Sequence, residues 1–145
     1  RFPNPTHITT EMTAYCPAAR QPVPTTIGEI VRCAYESLAL KYRDTVHSLE
    51  TLTGESIRHI NIVGGGSLNQ VLNQFTASAC DRPVIAGPVE ATALGNLLVQ
   101  AQADGELKNL AEIREVVRAS NEVKVFKPAA AGRWQEAADR WSKLP

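Results

Sequence analysis

The chain has 145 residues, with 15 basic and 15 acidic side chains, a formal net charge of zero and 43% hydrophobic residues. It has the length of one domain, and its balanced charge excludes the basic excess of a nucleic-acid binder and the charged blocks of an interaction tail. With no apolar run near the roughly 18 residues of a membrane span, no signal-peptide layout, and only Cys16, Cys33 and Cys80, the expectation is a cytoplasmic protein with no membrane partner, disulfide framework or zinc site.

Residues 1–25 carry Pro3, Pro5, Pro17, Pro22 and Pro24, so they are expected to be a mostly extended lead-in with a short helical turn near 11–15. Thr26 and Glu29 form a T-x-x-E capping box. Apolar residues at Ile27, Ile30, Val31, Ala34, Leu38, Tyr42, Val46, Leu49 and Leu52 follow at helical spacing, which predicts a helix with these residues on its buried face. Gly54 is the expected stop. Residues 57–63 are β-rich and run into Gly64-Gly65-Gly66. Ser67 with Gln70 reads as a second capping box, opening a helix with Leu68, Val71, Leu72, Phe75 and Ala79 on one face.

Asp81-Arg82-Pro83 ends that helix, and Val84-Ile85-Ala86 reads as a second short strand. Residues 90–103 are predicted helical, with Ala91, Leu94, Leu98 and Ala101 on one side. Asn109 and Glu112 predict a third capping box, for a helix through about residue 118. Residues 123–126 read as a small strand or an extended segment, and Trp134, Ala137, Ala138 and Trp141 as one face of a last helix. Strand, helix, strand implies a parallel pair with a right-handed crossover. Two strands alone leave two open edges, so the chain is expected to be a fragment, or to complete its sheet with a partner.

The chemistry concentrates in residues 59–69, HINIVGGGSLN. A backbone comes close to a bulky anion only where side chains are absent, and a helix start beside that gap offers free N–H donors and a positive dipole end. The run lacks the lysine of a P-loop and the third glycine of the dinucleotide motif. A phosphate cradle and a plain packing turn therefore both stand. Asn69 is open to either capping or nucleotide contact. Gly95, inside a predicted helix, reads as a site of close backbone approach, and Glu90 as a first-turn acid suited to the helix dipole. His7, His47 and His59 show no ligand spacing. Cys16 and Cys33 could approach each other, but a disulfide is not expected in a reducing compartment. The chain shows a candidate binding site and no nucleophile–base set.

Three segments, GEIVRCAYESLALKYR (28–43), INIVGGGSLNQVLNQFTASAC (60–80) and PVIAGPVEATALGNLLVQAQADGEL (83–107), together resemble the C-terminal domain of the FGGY carbohydrate kinases. The family's E-[AT]-T-A-L-G motif stands as Glu90-Ala91-Thr92-Ala93-Leu94-Gly95. The resemblance covers nearly the whole chain and thins after about Pro128. It implies an α/β, helix-rich fragment of an actin-like (ribonuclease-H-like) ATPase domain, with a short parallel strand pair and flanking helices. Residues 26–128 would be the nucleotide-side portion, preceded by the lead-in and followed by a C-terminal helix at 129–145.

By the same resemblance, Gly64, Gly65, Gly66 and Asn69 are nucleotide contacts. The glycines would lie at the phosphates and ribose, and Asn69 toward the adenine. The partners implied are ATP/ADP with Mg²⁺, and a sugar held with a missing N-terminal domain. The sugar suggested is L-rhamnulose, phosphorylated at O1, with xylulose, ribulose and fuculose as alternatives. The family's catalytic aspartate and usual metal ligands find no match here, so the segment alone is expected to be inactive. Thr76 stands where comparable sequences often carry cysteine, which argues against a redox link through Cys80. The competing reading is a non-catalytic α/β module that binds a partner through its strand edges.

Overall fold

The computed structural model describes residues 6–144; the readings that fall on Pro3 and Pro5 lie outside them. The elements in order are α1 (Ile8–Ala18), α2 (Ile27–Thr53), β1 (Ile60–Ile62), a 3₁₀ turn (Gly64–Leu68), α3 (Gln70–Cys80), β2 (Val84–Ala86), α4 (Ala91–Ala103), α5 (Leu110–Ser120), β3 (Lys124–Phe126) and α6 (Ala131–Trp141). The expected short turn near 11–15 is a helix of 11 residues, so the lead-in is not mostly extended. Its Pro17 falls in the last turn, and the chain runs extended only after it.

Both ends of α2 follow from local chemistry. Thr26 Oγ1 accepts from the Glu29 N–H at 3.2 Å, and Glu29 Oε2 accepts from the Thr26 N–H at 3.0 Å. Gly54 takes the left-handed conformation, φ +71°, and its N–H closes the helix on the Glu50 carbonyl at 2.9 Å. The buried face matches the expected one only in part, at Val46 and, half-buried, at Ile30 and Ala34. Ala39, Leu40 and Val46 are buried, whereas Ile27, Val31, Leu38, Tyr42, Leu49 and Leu52 are exposed, Ile27 and Leu52 by more than four-fifths. α2 packs chiefly on α3. There the small Ala77 and Ala79 allow close approach, and with Val84 and Ala86 they form the centre of the core.

β1 and β2 pair in parallel, Ile60 opposite Val84 and Ile62 opposite Ala86. The expectation of two strands falls one short. β3 joins antiparallel, Val84 opposite Phe126 and Ala86 opposite Lys124, which makes β2 the centre of a three-stranded mixed sheet. β1 and β3 remain as edges within the described chain.

α4 turns Ala91, Leu94, Leu98 and Ala101 away from solvent as expected, with Leu98 6% exposed. Gly95 is exposed, and a Cβ there would meet nothing within 4 Å. The close backbone approach expected at Gly95 is absent among the described residues. Glu90 is the N-cap of α4 and makes no side-chain cap bond. At α5, Asn109 Oδ1 accepts from the Ala111 and Glu112 N–H groups, but Glu112 bonds the Lys108 N–H, so the reciprocal box is shifted by one residue. α6 docks through its tryptophans. Trp134 meets Phe75 edge-on at 5.4 Å between ring centroids, and Trp141 Nε1 donates to Asp44 at 2.7 Å.

Candidate nucleotide-phosphate site

The β-rich segment leaves the sheet at Val63 and enters a 3₁₀ turn before α3 begins. The expected helix start at Ser67 is therefore displaced. The N-cap of α3 is Asn69, whose Oδ1 accepts from the Leu72 N–H at 3.1 Å. Ser67 instead donates its hydroxyl to the Gly64 carbonyl at 2.7 Å and is buried. Three glycines leave too little side chain to continue the strand or begin an α-helix, so the chain takes the tighter turn first.

The three glycines differ in why no side chain stands there. Gly64 has φ +74°, a conformation L side chains rarely adopt, and its N–H donates to the Pro88 carbonyl at 3.0 Å. A Cβ on Gly66 would sit 3.6 Å from Ile62 Cγ2, an ordinary contact. Gly65 is exposed, and a Cβ there would meet nothing within 4 Å. Neither φ nor packing within the described chain calls for glycine at position 65. Its N–H donates to no carbonyl among the described residues.

Asn69 stands at the far end of the turn, half-buried. Its Oδ1 is held by the cap, and its Nδ2 has no acceptor among the described residues. The turn thus brings Gly64, Gly65, Gly66 and Asn69 onto one short path, with the loop after β2 tied against it through Pro88. An exposed, side-chain-free backbone with a free N–H, at the mouth of a helix whose first turn is capped, can accept an anionic group at close range. That donor set suits a phosphate.

The residue missed from the sequence is Asn73. It is 1% exposed, and its Nδ2 donates to the Ser67 carbonyl at 2.9 Å. An asparagine amid Val71, Leu72 and Phe75 is the one signal that could have marked it. Among the described residues, no group of three or more His, Cys, Asp or Glu side chains could hold a metal ion. No helix among the described residues is long and apolar enough to cross a membrane. Cys16, Cys33 and Cys80 are free thiols. Burial pushes Cys80 up to about 11, against the pull of Arg43 and Arg82, and burial followed by the neighbouring Cys16 raises Cys33. A cleft of about 370 Å³ lined by Arg43, His47, Cys80 and Arg82 lies at the opposite end of α3 from the glycine turn.

Residues 11–103 match the FGGY family of carbohydrate kinases, C-terminal domain, and the chain belongs to that family. It is similar to the rhamnulokinase of Bacteroides thetaiotaomicron, 43% identical over 136 residues that cover 94% of this chain and 28% of that protein. The rhamnulokinases of Bacillus subtilis and Enterobacter sp. are 46% and 44% identical over 128 residues, each match covering 88% of this chain and 26% of the relative. The chain thus spans about a quarter of the length of the curated relatives it matches.

Proposed function

We propose that this chain is the nucleotide-side portion of a sugar kinase that transfers the γ-phosphate of ATP to O1 of L-rhamnulose. The observation that carries this reading is Gly65: an exposed backbone position with a free N–H, where nothing in the fold forbids a side chain. A ligand that must approach the main chain accounts for it. Gly64 and Gly66 extend the same surface, and Asn69 offers its free Nδ2 to the nucleoside side while its Oδ1 holds the helix. Membership of the family supports the reaction class, and the likeness to rhamnulokinases supports this sugar.

In this reading, residues 26–128 belong to an actin-like domain. Residues 1–25 would be its lead-in, and 129–145 the C-terminal segment that carries α6. The apolar residues left exposed support a larger whole: Ile27 and Leu52 on α2, and Leu97 and Val99 on α4, are each at least 60% exposed. The open edge of β1 does the same. The sugar site, the catalytic aspartate and the Mg²⁺ ligands would be contributed by chain outside these residues. Bound Mg²⁺ would neutralise phosphate charge during transfer. This chain's own part is to bind and orient the nucleotide, which is where catalysis of phosphoryl transfer largely resides.

The test is coupled ADP release by the full-length protein with Mg-ATP and L-rhamnulose, beside the 145-residue segment. Turnover by the full-length protein and none by the segment is expected. Turnover with xylulose, ribulose or fuculose in place of L-rhamnulose would change the sugar and keep the class. Absence of turnover with every sugar would overturn the reading and favour a non-catalytic module.

A further inference from the structure

We propose that Asn73 is a positioning residue for the nucleotide, setting the shape of the glycine turn through Ser67; the inference rests on the reading of that turn as the phosphate contact. Asn73 lies on α3, 1% exposed, and its backbone N–H continues the helix to the Asn69 carbonyl at 3.0 Å. Its side chain turns back out of the helix. Nδ2 donates to the Ser67 carbonyl at 2.9 Å, and Ser67 Oγ donates to the Gly64 carbonyl at 2.7 Å. Gly64 is anchored on its other side by its N–H to Pro88. The turn is therefore braced from α3 at one end and from the loop after β2 at the other, with Gly65 and Gly66 suspended between.

The other half of the amide argues that this is not a stability device. Asn73 Oδ1 is buried with no donor among the described residues. The Ser67 carbonyl can only accept and only the NH2 end of the amide can donate to it, so a flip would lose this bond without satisfying the amide. A buried amide satisfied at one end only adds little net stability, because the desolvation of its unpaired end offsets the bond made at the other. Residues that break a local rule in this way concentrate where a site must be held in one geometry. Here the geometry held is that of the two exposed glycines.

The experiment compares Asn73→Asp, which keeps size and removes the donor, with Asn73→Ala in the full-length protein. Thr76→Val is the control: it loses the buried Thr76 Oγ1 bond to the Leu72 carbonyl on the same helix and removes no hydrogen bond to the turn. Both Asn73 variants are expected to raise the KM for ATP about tenfold or more, with the KM for sugar within about twofold of wild type. Amide hydrogen exchange at Gly65 and Gly66 is expected to quicken while the α3 core stays protected. Thr76→Val is expected to leave the KM for ATP unchanged at a comparable loss of melting temperature.

Should Asn73→Asp not fold, Asn73→Ala carries the same readouts. An unchanged KM for ATP in the Asn73 variants, with Gly65→Val impaired, would overturn the positioning role and leave the nucleotide site standing. An equal rise in Thr76→Val would overturn it as general loosening of α3. Unimpaired Gly65→Val would overturn the site and the positioning role together.

Discussion

The Gly64 N–H donates to the Pro88 carbonyl at 3.0 Å and ties the turn after β1 to the loop after β2. Because β1 and β2 are adjacent and parallel, both loops leave the same end of the sheet. That end of a parallel strand pair is where ligands of α/β proteins bind.

The glycines at 64 and 65 should respond oppositely to a side chain. Gly64→Ala forces a methyl onto φ +74° and is expected to destabilise the protein by about 1–3 kcal/mol. Gly65→Val meets open space, so its unfolding midpoint should not move while ATP affinity falls about tenfold or more. Paired thermal unfolding and nucleotide titration of the full-length protein check both. Unchanged nucleotide affinity in Gly65→Val would remove Gly65 from the site.

Asn69 carries the cap that the sequence assigned to Ser67. Asn69→Ala should cost about 0.5–2 kcal/mol of stability, in the range of lost N-caps. Asn69→Asp keeps the acceptor for the Leu72 N–H and removes the free Nδ2. It should hold its stability and lose nucleotide affinity, which thermal unfolding and titration separate cleanly.

Gly87 stands where β2 meets β3's approach. Its φ is +123°, and a Cβ there would lie 2.9 Å from the Glu122 carbonyl oxygen, a backbone atom that cannot swing aside. Gly87→Ala should therefore destabilise by about 1–3 kcal/mol or more. A melting temperature equal to wild type would show that the chain before β3 does not press on this loop.

Two carboxylates on α2 set an acid limit. The N–H groups of Thr25 and Thr26 hold Glu29 at about 2, from an ordinary 4.5. The Ile57 N–H, at 2.8 Å, and then Arg82 lower Glu50. A carboxylate depressed on folding stabilises above its unfolded value and loses that contribution as pH falls toward its folded one. Stability should therefore decline between about pH 4.5 and pH 2. Glu29→Gln should be less stable than wild type at pH 7, with the difference closing toward pH 2. A difference independent of pH would separate the box from the charge.

What could be read along the chain was whatever adjacent residues settle among themselves. Thr26, Glu29 and Gly54 bound α2 because a cap is made within one turn, and Trp134 and Trp141 marked the docking face of α6 by spacing alone. The family, too, was legible, since its motifs are contiguous. The three glycines showed where a side chain was missing, and their number pointed at a turn.

Only the tertiary structure decided which feature of each element mattered. Ser67 and Asn69 are both good cap formers; the cap falls to Asn69, and Ser67 lies buried in the turn with its carbonyl bonded by Asn73. β3 became the third strand because its partner, β2, lies some forty residues earlier, where no local pattern records it. α2 packs chiefly on α3, and of the apolar stripe in its sequence Val46 is buried while Ile27, Val31, Leu38, Tyr42, Leu49 and Leu52 remain in solvent. Bonds within a turn are settled by neighbours, whereas burial and the free space over a glycine are settled by chain that returns from far away.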